Sequence, residues 1–275
     1  MYSRFSVDQT KMFILLCLFF ILSIAAEKHN FIRPINSSNN TRLKIIKGHP
    51  IKIEVRPFMV SLHCRNFFIC GGSIVSSSWV LTAQHCIDPQ EPLHHYYIRA
   101  GSPYYYKGQI YYLSRIEMIN TENESANNGS SAIDYLPKHD IALLKVSRKF
   151  KYSPTIQPAM LPLNDEIPSY LWASGWGLTE FNEPSPKLRI VGLIKIPDNA
   201  CFNISSYSRV LLNDHHICFG SNGYDSCSGD SGGPLANRDT VYGIVSFGIT
   251  KCGFGPGVYE KVSFYTDWIQ YVIST

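Results

Sequence analysis

Apolar residues in this chain fall into short runs broken by Gly, Pro, Ser and Asn. Phe58–Leu62, Trp79–Thr82, Ile141–Val146, Val241–Phe247 and Gly257–Val262 each have the length and the β-branched or aromatic content of a strand. Many strands at short spacing predict an all-β body, a sandwich or a barrel. The last dozen residues, FYTDWIQYVIST, follow another period. Trp268, Ile269, Val272 and Ile273 recur on one helical face, with Thr266 as a candidate cap. A single C-terminal helix over about 264–275 is therefore expected to dock its apolar stripe on the β body. The Pro-rich stretch from Lys151 to Asp165 reads as a link between two halves.

The longest apolar run stands apart from these. Met12 to Ile24 reads MFILLCLFFILSI, preceded by Arg4 and Lys11 and followed by small residues at Ala25 and Ala26. That is the layout of a secretory signal peptide over residues 1–26. A membrane span needs roughly 20 apolar residues, and the run is too short for one. Residues 27–44 are polar and end in the basic triplet Arg42-Leu43-Lys44, which reads as a tether ahead of a folded body over 45–275.

Composition narrows the class. Of 275 residues, 17% are charged and 45% hydrophobic, which excludes a disordered polyelectrolyte. The formal net charge of +4 comes from residues 1–44; beyond them, basic and acidic residues balance. No basic run or stripe remains, so nucleic acid is excluded as a partner. Secretion places the cysteines in an oxidising compartment. Cys17 leaves with the signal, and the seven that remain are an odd number, so one is left over after pairing. Five glycosylation sequons start at Asn36, Asn39, Asn123, Asn128 and Asn203, each a surface-loop expectation.

Three separated motifs carry candidate chemistry. Gly229-Asp230-Ser231-Gly232-Gly233-Pro234 places a serine among glycines that let the backbone approach a substrate. A serine hydroxyl is a weak nucleophile unless a base takes its proton and donors stabilise the oxyanion; the same string alone also reads as a surface turn. Leu81-Thr82-Ala83-Gln84-His85-Cys86 delivers a histidine, the natural base at neutral pH, at the end of an apolar strand. Asp140-Ile141-Ala142-Leu143-Leu144 begins with a carboxylate, either a loop-end charge or a buried orienter. The order is His85, Asp140, Ser231. An α/β-hydrolase elbow needs its histidine after the serine, and no histidine follows Ser231.

Together with SGWG (Ser174 to Gly177), SFG (Ser246 to Gly248) and PGVY (Pro256 to Tyr259), these blocks resemble the signature blocks of the chymotrypsin-type, trypsin-like serine proteases, in family order from Ile45 to Thr275. The resemblance implies two perpendicular six-stranded antiparallel β-barrels, one over about 45–150 and one over about 165–262, with the site between them. It implies His85 as general base and acid, Asp140 as its orienter and Ser231 as nucleophile, with the Gly229 and Ser231 N–H groups as the oxyanion hole. It places Asp225 at the floor of the substrate pocket, with Ser226, Ser246, Gly248 and Gly257 lining it, and hence cleavage after Arg or Lys. It implies a zymogen cut after Lys44, whose new Ile45 amine pairs with Asp230. It implies the disulfides Cys70–Cys86, Cys201–Cys218 and Cys227–Cys252, leaving Cys64 as a buried thiol or an intermolecular link. Protein or peptide substrates, protein protease inhibitors as partners, a monomer, an extracellular location, and neither cofactor nor metal complete the expectation. The alternative is a catalytically silent homologue acting by binding.

Three positions depart from the pattern. Gln84 stands where the family has a small residue, Lys47 where it commonly has Gly, and the segment Glu117 to His139 is long and carries two sequons.

Overall fold

The computed structural model of the chain describes residues 48–119, 138–179, 183–202, 214–221, 226, 229–248 and 255–275. A two-residue strand β1 (His49–Pro50) precedes six strands that close on themselves: β2 (Met59–Cys64), β3 (Phe67–Ile74), β4 (Trp79–Thr82), β5 (Tyr96–Ala100), β6 (Gln109–Met118) and β7 (Ala142–Val146), in the order β2-β3-β4-β7-β6-β5. A second six-stranded antiparallel barrel follows. Its strands are β8 (Tyr170–Gly175), β9 (Arg189–Ile196), β10 (His216–Gly220), β11 (Pro234–Asn237), β12 (Thr240–Phe247) and β13 (Gly257–Lys261). They run in the order β9-β10-β13-β12-β11-β8, and the β8–β9 pairing closes the ring while β1 adds to β9. Among the described residues, closure leaves no long strand edge for another chain to pair with.

Local chemistry sets these registers. Strands β2 and β3 are joined by Arg65 and Asn66 alone, at φ 49° and 73°. A two-residue hairpin with both central residues left-handed matches the twist of the strands it joins, and asparagine tolerates that region better than most side chains. Alternation along β6 turns Tyr111 and Leu113 inward and Tyr112 outward. Phe58, Leu62, Trp79, Tyr96, Ile98, Tyr111 and Leu144 fill the first barrel. Leu171, Leu193, Ile217, Phe219, Leu235 and Tyr259 fill the second.

The pattern-based elements correspond closely to strands: Trp79–Thr82 is β4, and Val241–Phe247 lies within β12. A one-turn helix α1 (Asp198–Phe202) was not anticipated, and the terminal helix is α2 (Thr266–Ser274). Ile269 and Val272 are buried, with Trp268 and Ile273 packed beside them. Thr266 does not cap: it is already helical, and its hydroxyl donates back to the Val262 carbonyl at 3.3 Å. The helix stripe joins the same apolar cluster as Phe58 and Leu144. The Pro-rich link is also packed, since Ile156 and Ala159 enter that cluster.

Cys70–Cys86 and Cys201–Cys218 are bonded. Cys227 and Cys252 lie outside the described residues, as do all five sequon asparagines. Cys64 is a half-buried free thiol, which burial and Glu91 push up to about 11.

One buried histidine links this fold to pH. His63 is 3% exposed and stacks on Tyr97 with ring centroids 4.9 Å apart. Its Nε2–H donates to the Tyr105 carbonyl at 3.1 Å, beside the Ser61 hydroxyl at 3.0 Å. Nδ1 is then a bare, buried acceptor with no partner among the described residues. Burial lowers the imidazole to about 4, helped by Arg99 and opposed by the Tyr105 bond. The unfolded chain binds the proton at about 6.5, so it binds more protons than the folded protein between those values. Stability is therefore intact above pH 6.5 and lost as pH falls towards 4. Melting curves across that window should show a shallower acid slope for His63→Gln than for the parent protein; equal slopes would contradict the assignment.

Candidate active site

His85 sits in the single 3₁₀ turn Gln84–Cys86 at the end of β4. The Cys70–Cys86 bond ties that turn to β3. Asp140 lies just ahead of β7. Because β4 pairs antiparallel with β7, Thr82 opposite Ala142, the chain leaving one strand runs beside the chain entering the other. That register brings together two residues far apart in sequence. The His85 backbone N–H donates to Asp140 Oδ1 at 2.8 Å, and His85 Nδ1–H donates to Oδ2 at 2.7 Å. A carboxylate only accepts, so the Nδ1 proton is fixed there and Nε2 is left with its lone pair. Asp140 is 1% exposed, whereas the His85 side chain keeps 24% exposure. Burial alone would lower the imidazole's proton affinity. The adjacent Asp140 charge and its hydrogen bond outweigh burial and raise it above the ordinary value.

Ser231 belongs to the turn that precedes β11. The Gly233 N–H donates to the Asp230 carbonyl at 2.8 Å, and Gly229 and Gly232 take φ of +93° and +72°. Glycine adopts such angles at no steric cost. The turn is fastened to both barrels. Gly71 N–H of β3 donates to the Ser231 carbonyl at 2.8 Å, and Gly232 N–H donates to the Val245 carbonyl of β12 at 2.9 Å. The approach to β4 is closer still. A Cβ on Gly232 would stand 2.2 Å from Thr82 Oγ1 and 3.0 Å from the Ala83 nitrogen. The serine turn thus presses on the residues just before His85.

Asp230 points the other way, into the second barrel, and is 1% exposed. The Gly177 N–H donates to its Oδ1 at 2.8 Å. Cβ atoms on Gly175 and Gly177 would fall 2.1 and 2.5 Å from its carboxylate oxygens. The SGWG string therefore makes room for this carboxylate.

Of the pocket residues singled out in the sequence, Asp225 lies outside the described residues. Ser226 is buried and shares a 3.0 Å hydrogen bond with the Tyr259 hydroxyl. A Cβ on Gly257 would lie 3.2 Å from Ser226 Oγ, while Gly248 faces open space. Ser246, read from sequence as a pocket residue, donates its hydroxyl to Asp140 Oδ2 at 2.5 Å. Lys44 and Ile45 lie outside the described residues. Gln84 leaves its Oε1 buried with no hydrogen-bond partner among the described residues.

Sequence reading passed over Glu260, which is fully buried on β13 and accepts the Asp140 backbone N–H at 3.0 Å. A lone acid in the buried run Gly257–Val258–Tyr259–Glu260 was the available signal. Its carboxylate and the ring nitrogens of His215 and His216 lie within 4.8 Å of one another, the one grouping of metal-ligand type among the described residues apart from the disulfide-bonded pair around His85. Those atoms hydrogen-bond and pair with each other.

Known proteins share this arrangement of strands. The trypsin family model matches residues 45–269. An ovochymase from Halocynthia roretzi is 36% identical over 86% of this chain, which spans 15% of that protein's length. A trypsin from Phaedon cochleariae is 34% identical over 84% of the chain and 89% of its own length. Mouse neuropsin, a serine protease, superposes with a TM-score of 0.70 at 28% identity, over 82% of this chain and 99% of neuropsin. The scabies mite inactivated protease paralogue S-D1 gives 0.71 at 24% identity, over 84% and 97%, a likeness of fold. Two closed barrels, with a bonded His85–Asp140 pair after β4 and the glycine-flanked Ser231 turn seated against Thr82 and Ala83, match the serine protease architecture of these relatives. The chain belongs to the trypsin-like serine protease family.

Crowding around Asp230 separates two glycines by experiment. Gly177→Ala should destabilise the protein by about 1–3 kcal/mol in chemical denaturation, because the methyl overlaps a fixed carboxylate. Gly248→Ala meets nothing within 4 Å and should stay within about 0.5 kcal/mol of the parent.

Proposed function

We propose that the chain is a secreted serine endopeptidase, made as a zymogen and cut after Lys44, that hydrolyses peptide bonds after Arg or Lys through an acyl-enzyme. The observation that carries this reading is the buried Asp140 carboxylate holding His85 Nδ1–H at 2.7 Å, with the Ser231 turn seated against Thr82 and Ala83.

The proposed chemistry follows from that geometry. Asp140 holds the imidazole in the tautomer with Nε2 free to accept. His85 takes the Ser231 proton as the hydroxyl oxygen attacks the scissile carbonyl carbon. The carbonyl oxygen becomes an oxyanion that the Gly229 and Ser231 N–H groups stabilise; losing one such donor raises the barrier by about 2.7–4 kcal/mol in a comparable enzyme. His85 then passes its proton to the leaving amine, the C–N bond breaks, and the acyl group remains on Ser231. Water repeats the sequence and releases the acid.

In the same reading, Asp225 supplies the pocket anion, and Gly248 and Gly257 leave space for a long basic side chain beside Ser226. The Gly257 contact with Ser226 Oγ supports this, since any side chain there would fill the gap. The Asp230 carboxylate, already held by Gly177 N–H, receives the Ile45 amine after the cut and orders the oxyanion turn. The signal layout of residues 1–26 supports secretion, and among the described residues no helix is long and apolar enough to cross a membrane. Protein substrates and protein protease inhibitors are the expected partners, and the working unit is a monomer.

Covalent labelling decides between this reading and a silent homologue. The chain cut after Lys44 should react with a fluorophosphonate, and Ser231→Ala should not. Absence of labelling in the cut parent would overturn the enzyme. Chromogenic peptides ending in Arg or Lys should be cleaved far better than those ending in Phe or Leu. Asp225→Ser should lower kcat/KM on the basic substrates by about a hundredfold or more. Because Asp140 raises His85, kcat/KM should climb with pH through a midpoint above 6.5, where the imidazole becomes neutral.

A further inference from the structure

Asp140 is the middle residue of a very tight turn. The Ile141 N–H donates to the His139 carbonyl at 2.9 Å, which turns the Asp140 peptide N–H away from its own strand. That N–H meets Glu260 Oε1 at 3.0 Å. Glu260 belongs to β13 of the second barrel, whereas Asp140 leads into β7 of the first. The backbone of the aspartate turn is therefore anchored across the seam between barrels.

The anchor is itself fixed. Glu260 is 0% exposed. Its Oε2 accepts the Tyr265 hydroxyl at 2.6 Å and His215 Nδ1–H at 3.1 Å, and His216 Nε2 stands 3.4 Å from Oε1. With the Asp140 N–H these partners match the roughly four acceptor directions of a carboxylate. His216 is the cross-strand partner of Glu260, and Tyr265 follows β13 in the next turn, so the set is built by local register. Tyr265 also meets His139 Nδ1 at 3.0 Å, which holds the residue before Asp140. Burial would raise the Glu260 carboxyl, but hydrogen bonds from His215 and His216 and the nearby His216 charge hold it down to about 2. The acceptor is ionised throughout the neutral range.

We propose that Glu260 is a positioning residue for Asp140, acting through the backbone hydrogen bond that aims the Asp140 carboxylate at His85 Nδ1. The inference deepens the protease reading and rests on it for its kinetic consequence. The His85 backbone N–H and the Ser246 hydroxyl hold the carboxylate oxygens; those bonds act on the side chain, and the Glu260 acceptor fixes the peptide N–H of the turn that carries it. A displacement of about 1 Å in a reacting group can lower a rate by about a hundredfold, so a bond from outside the reacting set is kinetically visible.

Two substitutions test the proposal in the chain cut after Lys44. Glu260→Leu removes the acceptor; Glu260→Gln keeps an oxygen for the Asp140 N–H and offers an amide to Tyr265 or His215. Glu260→Leu should lower kcat by about tenfold or more with KM within about twofold, and should shift or abolish the downfield proton resonance of His85 Nδ1–H. Glu260→Gln should restore most of both. A folded Glu260→Leu protein with parental kcat and resonance overturns the proposal, as does a joint change of kcat and KM that Gln does not rescue. If Glu260→Leu fails to fold, Tyr265→Phe removes one donor to the same carboxylate. It should shift the resonance and lower kcat by about two- to fivefold, and an unmoved resonance overturns the proposal equally. The resonance needs no turnover. A parent chain that resists fluorophosphonate therefore sinks the protease reading, while the resonance still decides the role of Glu260.

Discussion

A carboxylate taken out of water must be met by donors or it gives up its charge. Asp140 meets that demand with groups from both barrels: the His85 backbone and ring N–H from one side, and the Ser246 hydroxyl from the other. Its neighbourhood repeats the solution with Glu260, whose donors come from His215 just ahead of β10, from the turn after β13 and from Asp140 itself. The seam between barrels is therefore polar and hydrogen-bonded across its centre, with the apolar cluster of the first barrel and the terminal helix beside it. Moving either barrel relative to the other would strand buried donors, each at about 1–3 kcal/mol. The demand for donors at this buried aspartate is thus the same one that fixes the barrels in register.

Glycines let this seam close. The serine turn reaches β4 only because Gly232 has no side chain where Thr82 Oγ1 stands. It reaches β3 because Gly71 lies against Gly233, where a Cβ would be 3.1 Å from the Gly233 Cα. Asp230 enters the second barrel because Gly175 and Gly177 vacate its carboxylate site. The hexapeptide from Gly229 to Pro234 and the SGWG string are one packing solution seen from two sides. One set of glycines admits a backbone, and the other admits a buried charge.

These relations explain what was legible in the sequence. Strands such as Trp79–Thr82 declare themselves because each is short, apolar and bounded by turn residues. The candidate site residues declare themselves because their neighbours are chemically unusual: glycines around Ser231, an apolar run after Asp140. Glu260 was hidden because its meaning depends on a partner 120 residues away in sequence, and no local period marks it. His63 was hidden likewise, since its burial depends on Tyr97 across the β2–β5 pairing and on Tyr105 beyond that strand. Thr266 misled because hydroxyl residues before an apolar helix usually cap it, whereas here the preceding 3₁₀ turn continues into the helix and the hydroxyl bonds backward.

The fold by itself does not settle activity. A mouse serine protease and an inactivated mite paralogue resemble this chain to nearly the same degree. Two barrels can close, bury their cores and form a cleft whether or not a proton is ever moved in it. What separates the cases is whether particular side chains remain at positions where their retention has a physical consequence. A silent homologue has no catalytic need for an aimed imidazole, and a buried acid beneath it brings only the desolvation penalty of a second charge. Here the imidazole is oriented by a buried aspartate, the aspartate is held by a serine from the opposite barrel, and a second buried carboxylate fixes the turn that carries it. That chain of support, from Glu260 through Asp140 to His85, is the geometry on which the proposed protease chemistry depends.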